Sequence, residues 1–525
     1  MKGRGDFAAD RRLILLSGIA AVIGAVCAFV AILLLGMIAF FTNLFYYHQF
    51  SLIPHSPTYS VWGWGAIAVP VVGGLIIGLM ARYGSEKIRG HGIPEALEAI
   101  LFGKSLMQPK VAILKPLSSA ISIGSGGPFG AEGPIIMTGG AFGSIFAQLF
   151  HLTASERKTL LVAGAAAGMS AVFASPIAAI LLAVELLLFE WRPRSLVPVA
   201  IASLMAGAVR PYFLGGGPLF PIPAHVAIGT LELVSAIFVG LAAGAFSTLV
   251  SRSLYKLEDW FQLLPVHWMW WPALGGLVVG IGGVFEPRVL GVGYDVIADL
   301  LSGRITVKAT TILIAIKSLV WIVALASGTS GGVLAPLLIM GAGLGVAEST
   351  FLPGSPIIWP LISMAAVLGG MMRAPLTAVV FALELTHDLN ALPALMIASI
   401  AAYAFTVLAM KRSILTEKVA RRGYDIFREY GVDPLERVRA EEVMSAHIGD
   451  HPSHMNSYET IFPDESCRIA AERMAKANIK EITVVSRENI RKTLGTVALT
   501  DLLKPRLISH KEENEFETHI RFPRW

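Results

Sequence analysis

The sequence predicts an all-α polytopic membrane protein built from two inverted repeats with broken helices, followed by a small α/β module. Three observations carry that prediction. Only 15% of the 525 residues are charged while 54% are apolar, residues 13–42 form one uncharged run, and an internal repeat recurs after about 200 positions. Water-soluble domains carry about 25% charge, so a soluble enzyme is excluded. The two cysteines, Cys27 in an apolar run and Cys467 in a polar one, offer no disulfide framework. A formal charge of +5 is ascribed to basic residues gathered on the cytoplasmic side of a membrane, and no nucleic-acid partner is read from it.

The run at 13–42 exceeds the roughly 20 residues that cross a bilayer and is too long for a cleavable signal segment. A second uncharged run covers 61–80. The link at 43–60 carries no charge, whereas the outer flanks hold Lys2, Arg4, Arg11 and Arg12 before and Arg82, Lys87 and Arg89 after. The positive-inside rule places the 1–12 segment in the cytoplasm and 43–60 outside. Mostly apolar stretches then continue from 111 to 410, several too short to span and broken by Gly and Pro. Broken backbone at membrane depth is tolerated only where it is buried in protein or lines a wet cavity, so the chain is expected to enclose a polar pathway. After Met410 a basic exit (Lys411, Arg412, Lys418, Arg421, Arg422) leads into a charged tail, expected on the cytoplasmic side. Both termini inside require an even number of crossings. In the tail, periodicity predicts a helix at 465–477, strands at 481–486 and 493–497, and a helix at 500–503.

The repeat is the richest signal. Shifted by 202, Gly126, Gly130, Pro134, Gly139 and Gly143 fall on Gly328, Gly332, Pro336, Gly341 and Gly345. Shifted by 199, Pro176, Ala179, Ala183, Glu185 and Leu186 fall on Pro375, Ala378, Ala382, Glu384 and Leu385. The halves span about 13–213 and 226–424. Paired interrupted segments in two halves of a membrane protein point to a transport site between them. A Gly-rich loop opening a helix presents free N–H groups and the positive end of a dipole, and two facing each other favour an anion without any buried Lys or Arg. The alternative is close helix packing, which suits Gly139 and Gly143 better than the loops before Pro134 and Pro336. Glu132 stands at the mouth of an otherwise uncharged helix, and its repeat mate is Leu334. The fold itself therefore requires no carboxylate there, and an ionisable group at membrane depth is a functional candidate. Its alternative role is to complement the dipole of its own first turn. If the loop binds anions, an ionised Glu132 can occupy the anion's place and leave it when protonated.

Gly90-His91-Gly92-Ile93-Pro94, Gly130-Ala131-Glu132-Gly133-Pro134 and Gly331-Gly332-Val333-Leu334-Ala335-Pro336 resemble the three signature loops of the CLC chloride channels and proton/chloride antiporters, over residues 13–424. The resemblance implies a homodimer in a lipid membrane, the bacterial inner membrane, with one anion pathway per subunit. It also implies an anion site at His91, Gly92, Ile93, Gly130, Ala131, Gly133, Val333, Leu334 and Leu415, with Glu132 as gate, chloride as ligand and no metal. Three positions depart from the family: His91 replaces an anion-coordinating Ser, Leu415 replaces a Tyr hydroxyl, and Leu186 replaces the inner proton-relay Glu of antiporters. Glu190, one turn on, either serves as relay or faces the cytoplasm beside Trp191 and Arg192. The departures imply chloride transport with weak or no proton coupling, with proton/chloride exchange as the alternative.

Residues 438–505, opened by Val443-Met444 and closed by Gly495-Thr496-Val497-Ala498-Leu499-Thr500-Asp501, resemble a single CBS motif, followed by a polar tail at 506–525. The likeness implies an adenine nucleotide at Thr500 and Asp501, against the alternative of a helix cap. A remote alternative for the whole chain is an intramembrane serine hydrolase, since Gly328-Thr329-Ser330-Gly331-Gly332 fits G-x-S-x-G. No His lies inside an apolar helix to activate Ser330, and the repeat mate of Ser330 is Pro128.

Overall fold

The computed structural model describes residues 11–59, 62–222, 228–424, 426, 433, 435, 438–450, 460–490 and 492–507. The segment before residue 11, the start of the second uncharged run at 61 and the polar tail from 508 lie outside the described residues. The chain divides into two units, Met1–Arg428 and Glu429–Trp525.

In the first unit the first repeat runs α1 (Arg12–Thr42), α2 (Ala68–Tyr83), α3 (Ile93–Leu101), α4 (Pro109–Gly124), α5 (Glu132–Gln148), α6 (Ala154–Phe173), α7 (Pro176–Leu182), α8 (Pro193–Val209) and α9 (Pro211–Leu214). The second runs α10 (Thr230–Gln262), α11 (Trp271–Phe285), α12 (Tyr294–Leu301), α13 (Val307–Ala326), α14 (Leu334–Glu348), α15 (Ile358–Met372), α16 (Pro375–Thr386), α17 (Leu392–Ala409) and α18 (Ile414–Ala420). Each helix has its mate nine places on. Packing obeys the same relation: α1 lies on α6 and α8 while α10 lies on α15 and α17, and α5 lies on α6 while α14 lies on α15. Three mate pairs meet each other directly, α2 with α11, α7 with α16 and α5 with α14. Among the described residues seven helical stretches are long and apolar enough to cross a membrane. Four shorter apolar helical stretches accompany them, Pro176–Leu188 (α7 and the turn after it), α14, α15 and α16, of which α14 and α15 are buried almost throughout.

The breaks come from the sequence. Pro109, Pro176, Pro193, Pro211 and Pro375 each sit in a first helical turn, where the missing N–H costs nothing and the fixed φ favours the start. Ahead of two of these starts, α6 and α15 end on mates in the left-handed region, Ala174 (φ 56°) and Arg373 (φ 55°). At the α5–α6 contact Gly139 and Gly143 rest on the carbonyls of Gly164 and Leu160, and at α14–α15 Gly341 and Gly345 rest on the backbone of Met364 and Trp359. A Cβ at any of these would force the helices apart, so here the small-residue spacing does serve packing.

The second unit holds a helical turn, α19 (Ala440–Val443), then β1 (Ser445–Asp450), β2 (Thr460–Ile461), α20 (Cys467–Ala477), β3 (Glu481–Val485) and β4 (Lys492–Ala498). The sheet order is β1-β4-β3-β2, with β2–β3 parallel and the other pairs antiparallel. Ala440, Ile461, Cys467, Met474, Ile482, Val484 and Val497 form its core. Burial pushes the Cys467 thiol up to about 11. The sequence reading placed α20, β3 and β4 but missed β1 and β2. The helix expected at 500–503 is instead a tight 3-10 turn, Asp501–Leu503. The Asp501 carboxylate, paired with Lys504 at 2.7 Å, accepts the N–H of Ala498 at 2.9 Å and ties the turn back to β4.

Candidate functional site

The two Gly-rich loops of the repeat meet backbone to backbone. Gly130 N–H donates to Gly332 at 3.2 Å, and Gly332 N–H donates back to Gly130 at 2.8 Å. Because the two glycines are repeat mates, the pseudo-twofold axis passes between them. Glycine is required here: a Cβ on Gly332 would overlap the Gly130 carbonyl and the Glu132 carboxyl. A third pair of mates, which the sequence reading overlooked, completes the arrangement: Gly90 and Gly92 correspond to Gly291 and Gly293, all four at positive φ (75°, 89°, 67° and 75°). Gly90 N–H donates to Gly328 at 3.3 Å, and symmetrically Gly291 N–H donates to Gly126 at 3.1 Å.

Three helices, α3, α5 and α14, start at this junction, so their first N–H groups lack partners inside their own helices. Glu132 fills part of that deficit. Its Oε1 accepts the N–H of Ala335, in the first turn of α14, at 3.0 Å. Its Oε2 is buried and has no hydrogen-bond partner among the described residues. The Glu132 carboxyl thus rests on a backbone N–H at the positive end of a helix dipole, both contributed by the opposite repeat.

The other predicted residues gather around it to different degrees. Gly130, Ala131, Gly133, Val333 and Leu334 are buried in the two loops. His91 is buried, its carbonyl packs on Gly133, and its Nδ1 has no partner among the described residues. Gly92 lies against the Gly133 carbonyl and the Lys115 side chain, and Ile93 is buried at the start of α3. Leu415 is fully buried in the first turn of α18, which packs on α3 and is capped by Ser413, whose Oγ accepts the Thr416 N–H at 3.3 Å. Leu186 is fully buried in the π-helical turn Ala183–Leu188 that follows α7 and also packs on α3. Glu190 is elsewhere: it accepts the Ser195 hydroxyl at 2.9 Å and lies beside Lys158 and Arg192. Thr500 and Asp501 belong to the second unit.

Buried lysines do lie beside the loops, contrary to the picture of an anion site made without them. Lys115 and Lys317, mates at the 202 shift, are both fully buried. Lys115 Nζ donates to the carbonyls of Ile88 (2.9 Å) and Gly90 (2.7 Å) and contacts Ser330 Oγ at 3.0 Å. Lys317 Nζ donates to Val289 (2.8 Å) and Gly291 (3.4 Å). Each staples the segment carrying one left-handed glycine pair. Their signal was present in the sequence, a lysine at the same offset in both halves, but each reads as one charge in an apolar run. Ser330 is fully buried and engaged by Lys115, Ser118 and Ser119, which leaves no approach for a substrate carbonyl.

Two cavities follow the same symmetry. One of about 620 Å³ is lined by Arg89, Gly90, Glu95, Lys418 and Arg422, with Arg422 paired to both Glu95 and Glu98. The other, of about 890 Å³, is lined by Arg210, Leu214, Gly291, Gly293 and Tyr294, and it shares His55, Ser56 and Pro57 of the 43–60 link.

Comparison with known proteins points to one family. Residues 73–407 match the family model described as voltage gated chloride channel. The chain is 27% identical over 376 residues to a putative chloride channel protein ClcB-like of Ralstonia nicotianae, covering 70% of this chain and 88% of that protein. It is 29% identical to the voltage-gated ClC-type chloride channel ClcB of Salmonella typhi (68% and 88% covered). It is 30% identical to the H(+)/Cl(-) exchange transporter ClcA of Salmonella arizonae (59% and 68% covered). Among solved structures it resembles a slow cyanobacterial Cl-/H+ antiporter, with a TM-score of 0.68 at 20% identity over 79% of this chain and 98% of that one.

Proposed function

The chain belongs to the voltage-gated chloride channel family, an integral membrane protein, and on that premise we propose that it carries chloride across the membrane through the junction of the paired loops, gated by Glu132. One observation carries the reading: the Glu132 carboxylate, accepting the Ala335 N–H at 3.0 Å, already sits where backbone donors of the two repeats would hold a small anion. Chloride and the carboxylate compete for the same N–H groups, so the seat holds one or the other. Protonation removes the carboxylate's claim and opens the seat. The anion then exchanges between cavities bordered by Gly90 on one face and Gly291 on the other.

Weak or absent proton coupling is the reading we favour. Coupling needs a proton route to Glu132 separate from the anion's, and an apolar interior supplies none without ionisable groups or ordered water. Leu186 and Leu415, both fully buried, offer neither. Glu190 is held by Lys158, Arg192 and Ser195, a surface ion cluster rather than a relay. Proton/chloride exchange is the second reading, favoured by the exchangers among the relatives. Both termini are assigned to the cytoplasm and a homodimer to the membrane. Reversal potential in proteoliposomes under a chloride gradient tests the mechanism. A passive path reverses at the chloride equilibrium potential whatever the pH gradient, and a pH-dependent shift makes the protein an exchanger.

A further inference from the structure

Glu132, like His91, is a buried polar group at the junction that lacks a partner among the described residues and that the repeat does not require. So is Tyr294, whose repeat mate is Ile93. The Tyr294 hydroxyl is buried and has no hydrogen-bond partner among the described residues, which is costly for a phenol unless something pairs with it in another state. Glu132 Oε2 has the complementary deficit, an acceptor without a donor.

The backbone ties the two together. Tyr294 opens α12 directly after Gly293, itself left-handed at φ 75°. Two residues earlier, Gly291 donates to Gly126 at 3.1 Å, the first glycine of the loop that leads to Glu132. Gly293 lies against Ile339 of α14, where an added Cβ would come within 2.7 Å. That helix supplies the Ala335 N–H on which Glu132 rests. The phenol ring is fixed by Phe173, edge-on at 6.0 Å, and by Phe220 at 6.1 Å, and it borders the 890 Å³ cavity.

We propose that Tyr294 is a positioning residue whose hydroxyl receives the Glu132 carboxyl once an anion has displaced it from the Ala335 seat. This rests on Glu132 being the gate. In the seated state the carboxylate takes the Ala335 N–H and the phenol waits unpaired. In the anion-bound state chloride takes the backbone donors and the phenol O–H donates to the displaced carboxylate. The hydroxyl therefore lowers the cost of opening and raises apparent chloride affinity without touching chloride. Its position beside the Gly291–Gly293 cavity assigns the displaced side chain to the face of the 43–60 link.

The test uses full-length protein in liposomes, measuring chloride flux against chloride concentration for the wild type, Tyr294→Phe, Glu132→Ala and the double variant. Phenylalanine keeps the contacts with Phe173 and Phe220, and matching thermal midpoints establish that the variant folds. Loss of one hydrogen bond to a charged group raises the half-saturating chloride concentration about tenfold, with maximal flux retained. In the Glu132→Ala background the same change has no effect, because no carboxylate remains to receive. Equal half-saturation in wild type and Tyr294→Phe overturns the proposal, and so does an undiminished effect in the Glu132→Ala background, which assigns Tyr294 to packing alone. A Glu132→Ala variant indistinguishable from wild type overturns the gate itself, separately from Tyr294.

Discussion

Glu185 and Glu384 cap each other's helices. The Glu185 carboxylate accepts the N–H groups of Leu376 (3.3 Å) and Thr377 (2.8 Å) at the start of α16, together with the Thr377 hydroxyl (2.6 Å). The Glu384 carboxylate, at the far end of that helix, accepts the N–H groups of Ile177 (2.9 Å) and Ala178 (2.8 Å) at the start of α7. Proline opens each helix and leaves the following N–H groups free, so each repeat supplies the cap the other lacks.

Replacing either residue by Ala removes a carboxylate cap, a change that costs about 0.5–2 kcal/mol. Glu185→Ala is expected to cost more than Glu384→Ala, because only Glu185 also holds a hydroxyl. Thermal midpoints of the purified variants in detergent check the order, and a larger loss for Glu384→Ala would show that the Thr377 bond contributes nothing.

Glu132→Gln imitates the protonated side chain. With Glu132 as the proposed gate, wild-type flux is expected to rise on acidification, since a falling pH protonates a carboxylate and releases the seat. The Gln variant is expected to carry chloride at every pH and to lose most of that dependence. Flux measured at pH 5 and 7.5 decides, with an unaltered profile placing the titrating group elsewhere.

Lys115→Met and Lys317→Met each remove a buried staple. The carbonyls left behind cost about 1–3 kcal/mol for each one unpaired, and Lys115 also engages Ser330, whose repeat mate Pro128 has no hydroxyl to offer Lys317. Lys115→Met is thus expected to lower the thermal midpoint more and to weaken chloride binding by titration calorimetry. Equal losses would mean that the Ser330 contact is incidental.

Deleting residues 438–525 removes a unit with its own sheet and core. The chloride-to-nitrate permeability ratio of the truncated protein is expected to match that of the full chain. A changed ratio would make the tail part of the selectivity apparatus.

The loops were legible in the sequence because glycine and proline leave a fixed spacing wherever backbone must approach backbone, as at Gly130 and Gly332. The same rule failed for Gly291 and Gly293, since Asp295 stands where the first-repeat loop is followed by Pro94. Mutual capping by Glu185 and Glu384, the lysine staples and Tyr294 were invisible for another reason. Each depends on a partner one repeat away or on a cavity, and a single side chain gives no sign of which distant backbone it will meet. The turn at Asp501–Leu503 was read as a helix because a short apolar pair after a capping residue looks alike in both forms.

The reciprocal bond between Gly130 and Gly332 bears on how the protein is made. A ribosome that has released residues through 213 has delivered Glu132 and its loop, but neither the Ala335 N–H that seats it nor the carbonyl that steadies Gly130. On the proposed pathway the first half alone holds only part of the seat, and the half-synthesised chain is not expected to short-circuit the membrane into which it is being inserted.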